Sequence, residues 1–208
     1  MKMRNARNGL LIAFEGIDGT GKSTQIRLLA DWLRTQQGED VLETREPTDS
    51  AYGRRIRELY LSRAGVTPEE ELELFLQDRQ LHVKELIRPA LKAGRIVLTD
   101  RYYYSTAAYQ GANGLDPQDI LARNRFAPRP DLVILLTMPP ELSAERISSR
   151  GEQLNAFEQL AYLRRVSEIF ASFSSDPWLR RIDASQSVSL VQEQIRAAWH
   201  CLCSPEEP

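Results

Sequence analysis

Residues Leu10 to Gly38 read LLIAFEGIDGTGKSTQIRLLADWLRTQQG: an apolar run, a glycine-rich middle and a periodic tail. The run LLIAF is a buried strand by composition. The tail is an amphipathic helix with Ile26, Leu29, Ala30 and Leu33 on one side and Gly38 closing it. Between them the pattern G-x-x-x-x-G-K-[ST] fits without a gap, from Gly16 through Gly21, Lys22 and Ser23. A phosphate chain needs that much bare backbone around one lysine, because N–H groups can turn inward only where side chains do not block the anion. Gly16, Gly19 and Gly21 supply the freedom. The start of the following helix adds partial positive charge, Lys22 can reach terminal phosphates, and the Ser23 hydroxyl is placed to bind magnesium. A plain glycine-rich turn would explain the glycines, but not the GKS ending between a strand and a helix.

Composition sets outer bounds. With 208 residues, 42% hydrophobic and 27% charged, the whole chain 1–208 suits one well-buried domain and is short for two. A net charge of -2 gives no general attraction to nucleic acid or to an acidic membrane. Cys201 and Cys203 lie too close together to staple anything, which suits a reducing cytoplasm. His82 and His200 are the only histidines, so a zinc site is not expected, and His82 reads as a surface or interface residue on a helix. The basic start MKMRNARNG continues into an apolar run, Leu10 to Phe14, too short for a signal peptide or a membrane span, and reads as a frayed arm.

Further apolar runs alternate with helical patterns: VLETRE at 41–46, RIVLTD at 95–100, DLVILLTM at 131–138 and LRRIDAS at 179–185. The longest helix is expected from Pro68 to about Ala93. Strands apolar on both faces and separated by helices imply an α/β fold, with a parallel sheet covered on both sides. SSRGEQLN, Ser148 to Asn155, reads as a mobile loop. In such sheets ligands sit beyond the carboxyl ends of the strands, so TREPT after the second strand and TDRYYYSTAAYQG after the third are the segments to inspect. Asp100 and Arg101 would face the same crevice as Lys22. A carboxylate there can hold magnesium through water and a guanidinium can grip phosphate in two places; the plainer alternative is a structural ion pair at a strand end.

The segments FEGIDGTGKST, TREP, LFLQDRQLH, DRYYYSTAAYQG and PDLVILLTMPPELSAERISSRG occur in the order found in thymidylate kinases, and the chain resembles that family from about Leu10 to Phe173. The resemblance implies a P-loop kinase three-layer sandwich on a five-stranded parallel sheet, one domain with a closing loop near 148–156, in a cytoplasmic homodimer. It implies transfer of the γ-phosphoryl of ATP to dTMP, giving dTDP for dTTP and DNA precursor synthesis, with Mg2+ as cofactor. Neither nucleic acid nor membrane is an expected partner. ATP falls to Gly16, Ile17, Asp18, Gly19, Thr20, Gly21, Lys22, Ser23 and Thr24, and the metal to Ser23 and Asp100.

By the same resemblance, Phe75 stacks on thymine and Arg79, four residues on and so on the same helix face, bonds its O4. Read without the family, Phe75 would be core and Arg79 surface. Thr106 falls near thymine N3, Tyr109 under the sugar, and Gln110 at the pocket border. Asp18 matches an aspartate that contacts the sugar 3'-OH or nearby phosphate, and Arg45 and Arg101 match arginines that hold the acceptor phosphate. Of Tyr102, Tyr103 and Tyr104, only part would face the site, the rest being core. Transfer between two anions needs positioning and cationic stabilisation and no strong base. Lys22, Arg101, Asp100 as a magnesium organiser and one closing-loop arginine therefore make up the catalytic set.

Two departures stand out. The family's REPGG is REPTD here, Arg45 to Asp49, and the closing loop has Asn155, Ala156, Phe157 and Glu158 where many bacterial members carry D-R-x-E. The missing cation falls to Arg150, with Arg146 and Arg164 as alternatives. Besides an active thymidylate kinase, a P-loop kinase with another acceptor and a nucleotide-binding sensor or assembly subunit are the other readings.

Overall fold

The computed structural model describes residues 9–61, 65–148, 156–173 and 175–204. The basic arm 1–8, Arg150 and most of the expected closing loop lie outside the described residues. Among the described residues fifteen elements occur: β1 Leu10–Glu15, α1 Lys22–Gln36, β2 Val41–Arg45, α2 Ala51–Leu61, α3 Pro68–His82, a π-helical segment Val83–Ile87, α4 Arg88–Lys92, β3 Ile96–Asp100, α5 Tyr103–Ala112, α6 Pro117–Arg123, β4 Leu132–Thr137, α7 Pro140–Ser148, α8 Ala156–Ser172, β5 Leu179–Asp183 and α9 Val188–Cys203.

The strands form one sheet in the order β2-β3-β1-β4-β5, and every pairing is parallel. Successive strand residues point to opposite faces, yet β1, β3 and β4 are buried almost throughout, so both faces are covered. The edge strands β2 and β5 each carry exposed residues, Glu43 and Arg45 on β2 and Arg180, Arg181 and Asp183 on β5. Helices α1 and α9 pack on each other and against the sheet, while α5 packs against α3, α6 and α8. This is the expected five-stranded α/β architecture.

The chain leaves β1 for the β2 edge, returns through β3, and then crosses to β4 on the other flank of β1. That reversal opens a crevice at the carboxyl ends of the central strands. Register brings the strand ends level there: Asp100 of β3 pairs with Phe14 of β1 and with Arg45 of β2. The long helix after Thr67 starts on a capping box, in which the Thr67 hydroxyl accepts from the Glu70 N–H and the Glu70 carboxylate accepts from the Thr67 N–H, with Pro68 in the first turn. It runs to Lys92, as expected, but widens at Val83–Ile87. Pro89 supplies the reason: it has no N–H for the Glu85 carbonyl and its ring crowds that carbonyl, which a wider turn relieves.

Candidate active site

The loop between β1 and α1 is shaped by backbone that only glycine adopts readily. Gly16 has φ 131, and a Cβ there would stand 2.2 Å from the Leu136 carbonyl oxygen of β4. Gly21 opens α1 at φ 85. Lys22 is buried and folded back, its Nζ donating to the carbonyls of Gly16 at 3.1 Å and Ile17 at 2.9 Å. Burial pushes its pKa down to about 8 and Arg101 adds to the shift, while Asp18, Asp100 and Glu15 oppose it. A phosphate arriving in the loop would favour the charged form. The loop is pinned from outside by Ser143 of α7, whose hydroxyl donates to the Asp18 carbonyl at 2.5 Å, and from within by Thr20, which donates to the Ile17 carbonyl. Thr24 is half-buried in the first turn of α1.

At the end of β3 the exposed Ser23 hydroxyl donates to Asp100 Oδ2 at 2.6 Å. One hydroxyl beside one carboxylate is the sparse protein donor set that magnesium takes when phosphates and water complete its octahedron, so these residues fit the ion. Among the described residues no group of three or more His, Cys, Asp or Glu could hold a metal.

Arg101 follows with φ 72, a left-handed backbone that an arginine rarely adopts. Every neighbouring backbone group is tied. Its N–H donates to the Phe14 carbonyl at 2.9 Å, its carbonyl accepts from the Thr99 hydroxyl at 2.8 Å, and the next N–H, of Tyr102, donates to Glu15 Oε1 at 3.0 Å. The guanidinium donates to the Gly16 carbonyl, to Ser105 Oγ at 2.8 Å, to Asp18 Oδ1 at 2.7 Å and to Tyr109 Oη at 3.2 Å. Ser105 in turn donates to Glu15. Burial lifts the Glu15 carboxyl to about 7, against the Ser105 hydrogen bond and the Arg101 charge. Partial desolvation also pushes Asp18 up, but Arg101 and Lys22 more than reverse it and hold the carboxyl at about 2. Asp18 also accepts from the Tyr109 hydroxyl at 3.1 Å. Lys22, Ser23, Asp100, Arg101, Asp18 and Tyr109 thus form one cluster around the loop.

A second cluster lies between α3 and α5. Arg79 is 1% exposed, the reverse of a surface arginine, while Phe75 on the same face is half-buried. The Arg79 guanidinium donates twice to Glu46 Oε2, at 2.9 and 2.5 Å, once to Thr106 Oγ1 at 2.9 Å and once to Asn124 Oδ1 at 2.6 Å. Gln110 is buried one turn beyond Thr106. His82 corrects the expectation of a surface residue. It is buried, with Nδ1 2.9 Å from Glu46 Oε1 and Nε2 2.8 Å from Thr44 Oγ1, because α3 turns this face onto the end of β2. Tyr102 and Tyr104 are core, and Tyr103 is half-buried.

Arg45 stands apart, its side chain 66% exposed and paired with Asp49 at 3.3 Å. The REPTD segment holds its shape without glycines. Asp78 accepts from the Thr48 N–H at 2.8 Å and from the hydroxyls of Thr48 and Ser50, each at 2.6 Å, and neither Thr48 nor Asp49 has positive φ. Of the alternative loop cations, Arg164 is bound to Glu141 on the surface, whereas Arg146 of α7 reaches the carbonyls of Gly19 and Ala184, at 3.4 Å each. Arg150 lies outside the described residues.

Sequence reading missed Glu15, Ser105, Glu46 and Asn124. The first two carried a signal, an acid abutting the phosphate loop and a serine one helical turn after Arg101. Asn124, at the end of a short helix, carried none.

A strand–loop–helix with a buried lysine, a hydroxyl–carboxylate pair and an arginine bonded both to the loop and to α5 defines a P-loop phosphotransferase of the nucleotide-kinase type. A family model described as thymidylate kinase matches residues 14–195. The chain is 57% identical over 188 residues to the thymidylate kinase of Desulfotalea psychrophila, covering 90% of this chain and 92% of that one. It is 47% identical over 199 residues to that of Akkermansia muciniphila, covering 95% of each, and 44% identical over 198 residues to a probable thymidylate kinase of Thermococcus onnurineus, covering 90% of this chain and 96% of that one. The chain belongs to the thymidylate kinase family. It is an ATP-dependent nucleoside monophosphate kinase, a transferase of nucleotide biosynthesis that phosphorylates dTMP. Among the described residues no helix is long and apolar enough to cross a membrane.

Proposed function

We propose that the two clusters divide the reaction between them, the phosphate loop taking ATP and the α3–α5 cluster with Arg45 taking dTMP. The observation that carries this reading is Arg101, whose guanidinium bonds at once to the loop (Gly16, Asp18) and to α5 (Ser105, Tyr109) and so stands between donor and acceptor. Lys22 leaves the Gly16 and Ile17 carbonyls for the terminal phosphates of ATP, while the loop N–H groups and the α1 terminus hold the rest of the chain. Ser23 and Asp100 would hold Mg2+, which when bound neutralises charge on the donor phosphates. Arg45 releases Asp49 and, with Arg101, grips the acceptor phosphate. Asp18 and Tyr109 face the sugar, Phe75 stacks on the base, and Arg79, Thr106 and Gln110 read its edge.

No group need act as a strong base, because the fixed cations stabilise charge spread over the transferred phosphoryl. Arg150 is the closing cation suggested by sequence, and Arg146 is the one already lying against the loop. A homodimer matches the family expectation, and Cys201 and Cys203, present as thiols, suit the cytoplasm. A coupled assay with ATP and dTMP, dUMP, UMP, dCMP or thymidine tests the assignment. Strong preference for dTMP is expected; equal rates with dCMP would remove the base-reading roles.

A further inference from the structure

The surroundings of Arg79 fix direction more than charge. Of its five N–H groups, Nε–H and one Nη2–H go to Glu46, the other Nη2–H to Thr106 and one Nη1–H to Asn124. Four bonds in the plane of a rigid fork leave a single Nη1 hydrogen, aimed by the other four. Glu46 is itself held from three sides. Its backbone N–H donates to the Asp100 carbonyl at 3.0 Å, its Oε2 takes both Arg79 bonds, and its Oε1 meets His82 Nδ1. A carboxylate only accepts, so the ring proton facing it sits on His82 Nδ1, and Thr44 anchors the far nitrogen. Neighbouring Asp78 bolts Thr48 and Ser50 to the same helix. The segment after β2 is thereby tied to α3 at several points.

We propose that Glu46, oriented by His82 and Thr44, is a positioning residue that aims the Arg79 guanidinium and thereby sets selectivity for a pyrimidine with a carbonyl at C4 over one with an amino group there. The proposal rests on Arg79 reading the base. A donor that cannot rotate donates to a C4 carbonyl but meets a C4 amino group donor to donor, leaving both unpaired. A donor that can swing aside loses that discrimination. Removing the aim should therefore cost dTMP binding and spare the cytosine nucleotide.

The test compares kcat/KM for dTMP and dCMP in the full-length enzyme and in Glu46→Gln, His82→Phe, Thr44→Val and Arg79→Lys, with KM for ATP measured alongside. In Glu46→Gln the dTMP-to-dCMP ratio is expected to fall about tenfold, the scale of one charged hydrogen bond, through KM for dTMP and with KM for ATP unchanged. His82→Phe should give a smaller fall in the same direction, and Thr44→Val a smaller one still. If Glu46→Gln does not fold, the His82 and Thr44 variants decide the matter. An unchanged ratio in Arg79→Lys overturns the base-reading role itself. A ratio that moves in Arg79→Lys but stays at the parent value in every folded Glu46, His82 and Thr44 variant overturns the positioning role alone. A purely structural network would lower Tm and scale both substrates together.

Discussion

Replacing Lys22 by methionine should abolish turnover and, without nucleotide, make the protein more stable at neutral pH. The folded pKa of Lys22 lies at about 8 against a model-peptide value of 10.5. Between those values the unfolded chain binds a proton that the native loop does not, so stability rises with pH across that window, and below pH 8 the charged lysine costs the fold the full difference. That difference is ~3 kcal/mol at ~1.4 kcal/mol per unit. Methionine removes this cost but leaves the Gly16 and Ile17 carbonyls without their donor, which takes back roughly 1–2 kcal/mol. The variant should therefore gain about 1–2 kcal/mol at pH 7. The advantage should shrink by about 2 kcal/mol by pH 9.5, as the parent lysine deprotonates in the native state.

Urea denaturation of both proteins at pH 7.0, 8.5 and 9.5 measures this; groups remote from Lys22 cancel in the difference, and Glu15, which acts on Lys22 and titrates at about 7, is ionised at the two higher pH values. The tyrosines raised by burial titrate only above this range. ATP should reverse the effect, since phosphate restores the ammonium, and calorimetry in buffers of different ionisation enthalpy should show proton uptake near pH 8. A stability difference that stays flat from pH 7 to 9.5 would refute a strained ammonium in the loop.

Phe75→Ala should raise KM for dTMP by the roughly 1–3 kcal/mol that base stacking contributes and leave KM for ATP alone; equal damage to both substrates would mark Phe75 as packing only. Arg150→Ala and Arg146→Ala, assayed side by side, should separate the closing cation from its neighbour, since loss of an arginine over the transferring group costs about 10³ to 10⁵ in kcat with little change in KM. Full activity in Arg150→Ala with collapse in Arg146→Ala would hand the role to Arg146. Gly16→Ala should fail to give a soluble native protein or lose several kcal/mol in urea titration, because its Cβ would stand 2.2 Å from the Leu136 carbonyl; a near-native melting curve would mean that β4 yields there.

Much of the fold was open to sequence reading because its central strands are apolar on both faces and its first loop has few alternative uses. LLIAF, RIVLTD and DLVILLTM became β1, β3 and β4 to within a residue at most ends. The widened turn before Pro89 was not readable, since the proline signals trouble four residues upstream without saying whether the helix kinks, ends or swells. The cluster around the phosphate loop was legible because its members are close in sequence or sit at strand ends. The cluster between α3 and α5 was only half legible. Phe75 and Arg79 share a helix face by spacing, but nothing local says that Arg79 is buried. Its partners come from residues 46, 106 and 124, and only the sheet order and the α3–α5 packing bring them together. His82 misled for the same reason, because a lone histidine on a polar helix shows no sign of the carboxylate that tertiary structure places against it.

Arg101 is the only non-glycine residue among those described with positive φ. Its backbone would be most at ease as glycine, by about 1 kcal/mol, whereas its side chain holds the loop and α5 together and stands where the reaction is proposed to occur. These demands constrain mutational drift from opposite directions. Other side chains lose the grip and, asparagine and aspartate apart, keep the awkward backbone, while glycine relaxes the backbone but leaves nothing to reach Asp18 or Ser105. A lineage can leave arginine at this position only by crossing variants that are worse in at least one respect. The position is closed to gradual substitution even though its immediate conformation is among the least comfortable in the fold.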